Sequence, residues 1–123
     1  MVPYLSSEWL AVAAEAIAHD DQVQALGSTP LTVEVTVGEV LYSLRSGNGS
    51  VSLHPGPAAG ADLRIAQSHE TAVAIASGTA SAQEAFIGGH VRFDGPAECL
   101  SAARSLLEAI GAALEPLRSK TVY

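Results

Sequence analysis

The sequence predicts an α+β fold, in which helices cover one face of a five-stranded, mainly antiparallel sheet. Two observations carry this prediction. In the middle of the chain, apolar residues alternate with polar ones over several short segments, which is typical of strands with one buried face. Towards both ends, apolar residues recur at spacings of three and four, which is typical of amphipathic helices. The 123 residues are expected to form a single domain, 1–123, with its own hydrophobic core.

The first predicted helix runs from about Ser7 to His19. Its apolar residues fall on one face at helical spacing: Trp9, Leu10, Ala13, Ala14 and Ile17. Either Ser6 or Ser7 can cap its start. The polar run at 19–22 and then Gly27-Ser28 are expected to carry the chain out of this helix.

Four short strands in succession follow, and together they predict an antiparallel meander. Their apolar sides lie at Leu31–Val37, Val40–Leu44, Val51–Leu53 and Ala61–Ile65. Between them, Gly38-Glu39 predicts a tight turn and Gly47-Asn48-Gly49 predicts a hairpin. The segment Pro55-Gly56-Pro57 predicts a loop, because proline cannot donate to a sheet ladder.

The remainder of the chain alternates between helix and strand. A second helix is predicted over about His69 to Ser77, capped by Gly78. Ser81 and Glu84 match a capping box that begins a short helix ending at Ile87. Val91 and Phe93 mark a fifth strand. Gly95-Pro96 then ends this strand and begins a last helix, with Pro96 predicted at the first helical position and an end expected near Pro116.

Composition limits the class of protein. The chain is 48% hydrophobic and carries a formal net charge of -7, with six basic against thirteen acidic residues. Such a surface repels phosphate backbones and anionic lipids, so we expect no nucleic-acid partner and no strong membrane association. The single cysteine excludes an intrachain disulfide, and no signal peptide or membrane span is predicted. We therefore expect a cytoplasmic protein, and its alanine-rich, lysine-poor composition is typical of a high-GC bacterium.

Residue sets that carry catalysis or hold metals are missing from the sequence. The histidines (His19, His54, His69 and His90) are scattered, and Cys99 stands alone. Neither a phosphate-binding loop nor a dinucleotide fingerprint is present. The sequence therefore predicts no catalytic residue, no metal site and no cofactor.

The chain resembles the sterol carrier protein 2 family of lipid-transfer domains, most clearly between Ala61 and Gly95. The strand Ala61-Asp62-Leu63-Arg64-Ile65 is similar to the family strand that opens with Ala-Asp, and a helix ending at a glycine follows it. The most similar segment is 81–95, in which the family pattern is matched by Gln83, Ala85, Phe86, Gly89 and Gly95. The first helix and the preceding strands also fit, so the resemblance covers nearly the whole chain. In two respects the chain departs from the family, since it is acidic where members tend to be basic and uses alanine where they use bulkier residues.

The resemblance implies an apolar tunnel between the sheet and the helices, which holds a sterol, a fatty acid or another lipid. On this basis Phe86 and Ile87 are the first candidates to line the tunnel, and Gln83 is a candidate contact for a ligand head group. Second candidates come from the flanking helices: Val73, Ile75, Leu107 and Ile110. By their alternation, the apolar strand residues are expected to form the core: Val33, Val35, Leu44, Leu63 and Ile65.

The leading functional hypothesis is non-catalytic binding and carriage of an apolar small molecule, such as a sterol, fatty acid or terpenoid-like lipid. A first alternative is an interaction module with a filled core, which forms a homodimer or docks another protein through a sheet face or strand edge. A second alternative is an isomerase or cyclase that uses the apolar pocket with an Asp, a His or Tyr42 as acid.

Overall fold

A computed structural model describes residues 2–123 of the protein. Its elements in chain order are β1 (Val2–Pro3), α1 (Ser7–His19), α2 (Asp21–Gln24), β2 (Leu31–Val37), β3 (Val40–Gly47), β4 (Ser50–Pro55), β5 (Leu63–Gln67), α3 (His69–Ala76), α4 (Ala82–Ile87), β6 (Val91–Asp94), α5 (Ala97–Leu114), a 3₁₀ helix (Glu115–Lys120) and β7 (Thr121–Val122). The predicted helices and strands are therefore present, and α2, β1, β7 and the 3₁₀ helix are additional.

Five strands form the main sheet in the order β4-β3-β2-β5-β6. The pairs β2–β3, β3–β4 and β5–β6 are antiparallel, whereas β2 and β5 are parallel. The α+β fold with a mainly antiparallel sheet is thus confirmed. The prediction of a four-strand meander is wrong for its last member, because β5 returns to pair with β2 instead of adding to β4.

The physical reason for this return lies in the loop after β4. Instead of turning tightly, the loop crosses the polar face of the sheet. The Gly56 N–H donates to the carbonyl of Leu41 at 2.9 Å, and the Ala58 N–H donates to the carboxylate of Glu34 at 3.4 Å. Ala58 itself is buried. These contacts carry the chain over β3 and β2 and place β5 on the far side of β2.

The other face of the sheet forms the core. Its alternating apolar residues, including all five predicted core residues (Val33, Val35, Leu44, Leu63 and Ile65), are buried. α1 packs on β4 and α5 packs on β2, and these two helices also contact each other. Burying a leucine or valine side chain stabilises a fold by about 1.5–3 kcal/mol, so this layer supplies much of the stability.

Helix caps explain where the first two helices begin. Ser6 is the cap of α1, because its hydroxyl accepts a hydrogen bond from the Trp9 N–H at 3.1 Å. Asp20 caps α2 in the same way, accepting from the Val23 N–H at 2.9 Å. The chain leaves α1 at His19, as expected, and the polar run that follows begins the additional short helix α2, in which Val23 is completely buried.

Gln24, at the end of α2, lies against the edge strand β4. Its side-chain amide donates to the carbonyl of Val51 at 2.8 Å, and the Val51 N–H donates back to its Oε1 at 3.0 Å. The same amide donates to the carbonyl of Ile17 at 2.8 Å. A side chain therefore occupies the hydrogen-bonding positions that a neighbouring strand would use.

The two chain ends are joined by a small parallel pairing that the sequence did not predict. β1 pairs with β7, and the indole N–H of Trp9 donates to the hydroxyl of Thr121 at 3.0 Å. That hydroxyl in turn donates to the carbonyl of Leu117 at 2.6 Å. At the start of α5, Pro96 is the cap residue and not the first helical residue as predicted.

Candidate functional site

A groove of about 580 Å³ opens at the β6 edge of the sheet, between α4 and α5. It is open to solvent on one side, and most of its lining is apolar. The lining residues are Ala82, Gln83, Phe86, Ile87, Phe93, Ala97, Leu100, Ser101, Arg104, Leu107 and Glu108. This volume lies within the range of small-molecule binding pockets, about 300–1,000 Å³.

One wall of the groove is the short helix α4. The hydroxyl of Ser81 accepts a hydrogen bond from the Glu84 N–H at 3.0 Å, so the predicted serine cap is confirmed. Ala85 faces inwards and is buried, whereas Phe86 and Ile87 are 45% and 76% exposed. Because these large apolar side chains are so exposed on a helix of six residues, they contribute little to the stability of the fold. They are therefore candidates for contact with another molecule.

Phe93 connects this wall to the core. Its ring meets the ring of Phe86 edge to face, with centroids 4.9 Å apart and planes at 79°. On the sheet, Phe93 pairs with Ile65, which is buried. The apolar surface of the groove is therefore continuous with the edge of the core.

The opposite wall is a stripe along α5 with an apolar and a polar part. Ala97, Leu100 and Leu107 supply the apolar part. The polar part consists of Ser101, Arg104 and Glu108, spaced so that successive side chains lie about one turn apart. The Nε–H of Arg104 donates to Oε1 of Glu108 at 3.3 Å, and both side chains are largely exposed.

Four of the seven predicted ligand contacts come together in this groove: Gln83, Phe86, Ile87 and Leu107. Ile75 instead lines a neighbouring hollow beside Gly78 and Arg118. Ile110 is buried in the core, and Val73 is half-buried on α3 outside the lining of the groove. The role of all seven as ligand contacts stays a prediction, as does a tunnel between the layers.

Several residues that line the groove were not among the predicted ligand contacts, including Phe93, Leu100 and Arg104. A signal for them exists in the sequence. Phe93 alternates with polar neighbours on the fifth strand, and residues 97, 100, 104, 107 and 108 recur at helical spacing on one side of α5. What the sequence does not show is that β6 lies at an edge of the sheet, where this stripe faces α4.

The ionisable groups that line the groove are Arg104 and Glu108, which form an exposed ion pair. Within residues 2–123, no group of three or more His, Cys, Asp and Glu side chains is arranged to hold a metal ion. Tyr42, the tyrosine considered as an acid, lies on the inner face of β3 opposite Val35 and outside the groove lining. Burial raises the pKa of its phenol to about 12.

This raised pKa predicts a loss of stability at alkaline pH. A phenol whose pKa is about 10 in the unfolded chain and about 12 in the folded one stabilises the fold fully below pH 10, and the contribution falls as pH rises from about 10 to 12. Between about pH 8 and pH 11 the wild type should therefore lose about 1.4 kcal/mol more unfolding free energy than Tyr42→Phe. Urea unfolding at the two pH values measures this difference.

A second tyrosine does not confuse that comparison. The pKa of Tyr4 is also raised, mainly by burial and further by the neighbouring Tyr42 and Tyr123. Tyr42→Phe removes one of the smaller causes and leaves the burial of Tyr4 in place, so Tyr4 contributes nearly equally to the loss of stability in both proteins. Equal losses of stability in the wild type and in Tyr42→Phe would show that Tyr42 titrates as it does in the unfolded chain.

Among the residues described, no helix is both long enough and apolar enough to cross a membrane. What the structure defines is a small α+β domain with an apolar groove beside one edge of its sheet. The volume and the mostly apolar lining of this groove are typical of pockets for small molecules.

The family model described as the SCP-2 sterol transfer family matches residues 8–108. The chain therefore belongs to this family, as the sequence resemblance predicted. No curated protein matches the chain in sequence.

Solved structures share the fold at low sequence identity. The apo form of Sterol Carrier Protein 2 from Yarrowia lipolytica has a TM-score of 0.66 at 15% identity, with 90% of this chain and 95% of that chain covered. A conserved hypothetical protein from Thermus thermophilus, described as possibly a sterol carrier protein, has a TM-score of 0.71 at 14% identity and coverages of 95% and 91%. The sec-alkylsulfatase Pisa1 from Pseudomonas sp. has a TM-score of 0.54 at 20% identity, with 77% of this chain and only 14% of that chain covered.

Proposed function

We propose that this protein binds an apolar small molecule, such as a sterol, a fatty acid or a terpenoid-like lipid, and carries it without chemical change. The proposed site is the groove between α4 and α5. The observation that carries the proposal is the exposure of Phe86 and Ile87 beside Phe93, in a groove whose lining is mostly apolar. Membership of a family described by sterol transfer supports the same function.

The energetics of such binding require no catalytic group. Each Å² of apolar surface that ligand and groove remove from water contributes about 25 cal/mol, before the costs of ordering the ligand and the side chains. The rings of Phe86 and Phe93 already contact each other in the lining of the groove, so part of the site is formed before a ligand arrives. Because the groove is open on one side, a ligand could enter without the sheet opening.

Titration of delipidated protein with a fluorescent fatty acid and a fluorescent sterol analogue tests the proposal. We expect saturable binding with one ligand per protein, and native mass spectrometry of protein purified without delipidation should show a bound lipid. An absence of saturable binding across a broad panel of lipids would contradict the proposal. Loss of this binding in Ser101→Trp, in which an indole would fill the groove, would assign the binding to this site.

The second candidate function is an interaction module, and the exposure of Ile87 favours it, since 76% of this large apolar side chain is accessible. In that case the α4 surface would pack against a second copy or another protein. Light scattering over a range of protein concentrations tests self-association. A protein that stays monomeric at high concentration and binds lipid fits the carrier, and a dimer that binds no lipid fits the module. We propose in addition that the protein is not an enzyme and that it is cytoplasmic.

A further inference from the structure

We propose that the groove selects amphiphiles whose polar head is uncharged over carboxylates of the same chain length, and that the pair Arg104–Glu108 sets this selection. The inference rests on the proposed function and names the class of ligand that the groove would take. Its specificity-determining residues lie on α5.

The polar groups of the groove lie beside its apolar part. On α5 the apolar residues Leu100 and Leu107 share the lining with Ser101, Arg104 and Glu108. Gln83 supplies an amide from the α4 wall. A ligand whose chain covers the apolar part would bring its head within reach of these polar groups. Together they offer both hydrogen-bond donors and acceptors, which suits a hydroxyl or a carbonyl.

The charged groups of the groove are already paired with each other. Of the residues that the structure describes, Arg104 is the one cation that lines the groove, and its Nε–H is already engaged by Glu108 at 3.3 Å. The two formal charges cancel, so the groove offers a carboxylate no net positive charge. Arg118, a basic residue that lines the neighbouring hollow, donates instead to the carbonyl of Ala76 at 2.7 Å.

A carboxylate head would therefore have to share the Arg104 guanidinium with Glu108, which repels it. It would also enter a protein whose formal net charge is -7. A hydroxyl or carbonyl head is uncharged, so neither Glu108 nor the net charge of the protein repels it. It can still accept a hydrogen bond from Arg104 or Gln83. The arrangement thus favours an uncharged head by electrostatics and not by shape.

The expected size of the effect follows from Coulomb's law. Removing a like charge at about 6 Å, with an effective dielectric constant of about 40–80, tightens carboxylate binding by about three- to tenfold. The Glu108→Gln variant makes this change while keeping a side chain of the same shape. The quantity to compare is the ratio of the two dissociation constants, that of a pyrene-labelled long-chain acid over that of the alcohol of the same chain length.

The experiment measures this ratio at about pH 8, where the acid is ionised, for the wild type and three variants. We expect the wild type to prefer the alcohol, Glu108→Gln to shift the ratio about three- to tenfold towards the acid, and Arg104→Gln to shift it the other way. Glu98→Gln is the matched control, because Glu98 is an exposed residue of the same helix outside the groove lining. It removes the same formal charge and should leave the ratio within about twofold of the wild type.

The outcomes separate this inference from the function on which it rests. If the wild type binds neither probe, the proposed function fails and the inference fails with it. If the wild type binds both probes but prefers the acid, or if Glu98→Gln shifts the ratio as much as Glu108→Gln, the inference alone is overturned. In the second of those cases only the net charge of the protein would matter.

Discussion

Replacing Ser101 with tryptophan should weaken the binding of a fluorescent apolar amphiphile by at least about tenfold. Ser101 is exposed and lies on the groove side of α5, one turn from Ala97 and one turn from Arg104. An indole at this position would cover roughly 150–250 Å² of surface and fill space that the ligand needs. Because no buried group is removed, the fold itself should be little affected. Fluorescence titration of the delipidated variant measures the loss.

The matched control for that variant is Ala112→Trp, on an exposed position of the same helix outside the groove lining. It adds the same ring to α5 and should bind the amphiphile as the wild type does. Comparable thermal unfolding of the two variants would show that any difference in binding comes from the groove. Wild-type affinity in Ser101→Trp, with intact folding, would place the binding site elsewhere.

Replacing Gly27 with alanine should lower the free energy of unfolding by about 3 kcal/mol or more, a loss in the range of severe overpacking. Gly27 follows α2 and is buried against the β3–β4 hairpin, where its carbonyl accepts a hydrogen bond from the Gly49 N–H at 3.1 Å. A Cβ on Gly27 would lie 2.4 Å from the backbone nitrogen of Ser50 and 2.6 Å from the carbonyl carbon of Gly49. Since both neighbours are backbone atoms, the hairpin itself would have to move. Urea unfolding measures the change.

The same substitution at Gly111 should have the opposite effect on stability. It lies inside α5, and an added Cβ would have no atom within 4 Å. Gly111→Ala should therefore stabilise the protein by about 0.5–1 kcal/mol, because alanine loses less backbone entropy in a helix. If the two variants changed stability equally, the close approach at Gly27 would not be a determinant of the fold.

The local structure of this chain was predictable because it depends on neighbours in sequence. Ser6 and Ser81 cap helices through amides three residues further along the chain, and alternation alone identifies which side of β2 is buried. The position of β5 was not predictable in this way. It depends on contacts of Gly56 and Ala58 with residues of β3 and β2, which are distant in sequence and have no periodic signal.

Prediction of the candidate site was limited for the same reason. Phe86 and Ile87 were identified through the family resemblance, and they do lie on one wall of a groove. Arg104 and Glu108 carry no motif, and their pairing at helical spacing is typical of any solvated helix face. Only the placement of α5 opposite α4 brings this ordinary ion pair into the lining of an apolar groove.

The side chain of Gln24 has a consequence for the protein in concentrated solution. By holding both hydrogen-bonding groups of Val51, it makes β4 a poor template for the strand of another molecule, which is how edge-to-edge aggregation begins. The opposite edge, β6, is four residues long and carries the charged side chains of Arg92 and Asp94, and short, charged edges resist the same reaction. Both edge strands are thus protected from pairing with strands of other molecules, β4 by the side chain of Gln24 and β6 by its shortness and its charges. The apolar groove can therefore stay open to solvent without the sheet beside it starting aggregation.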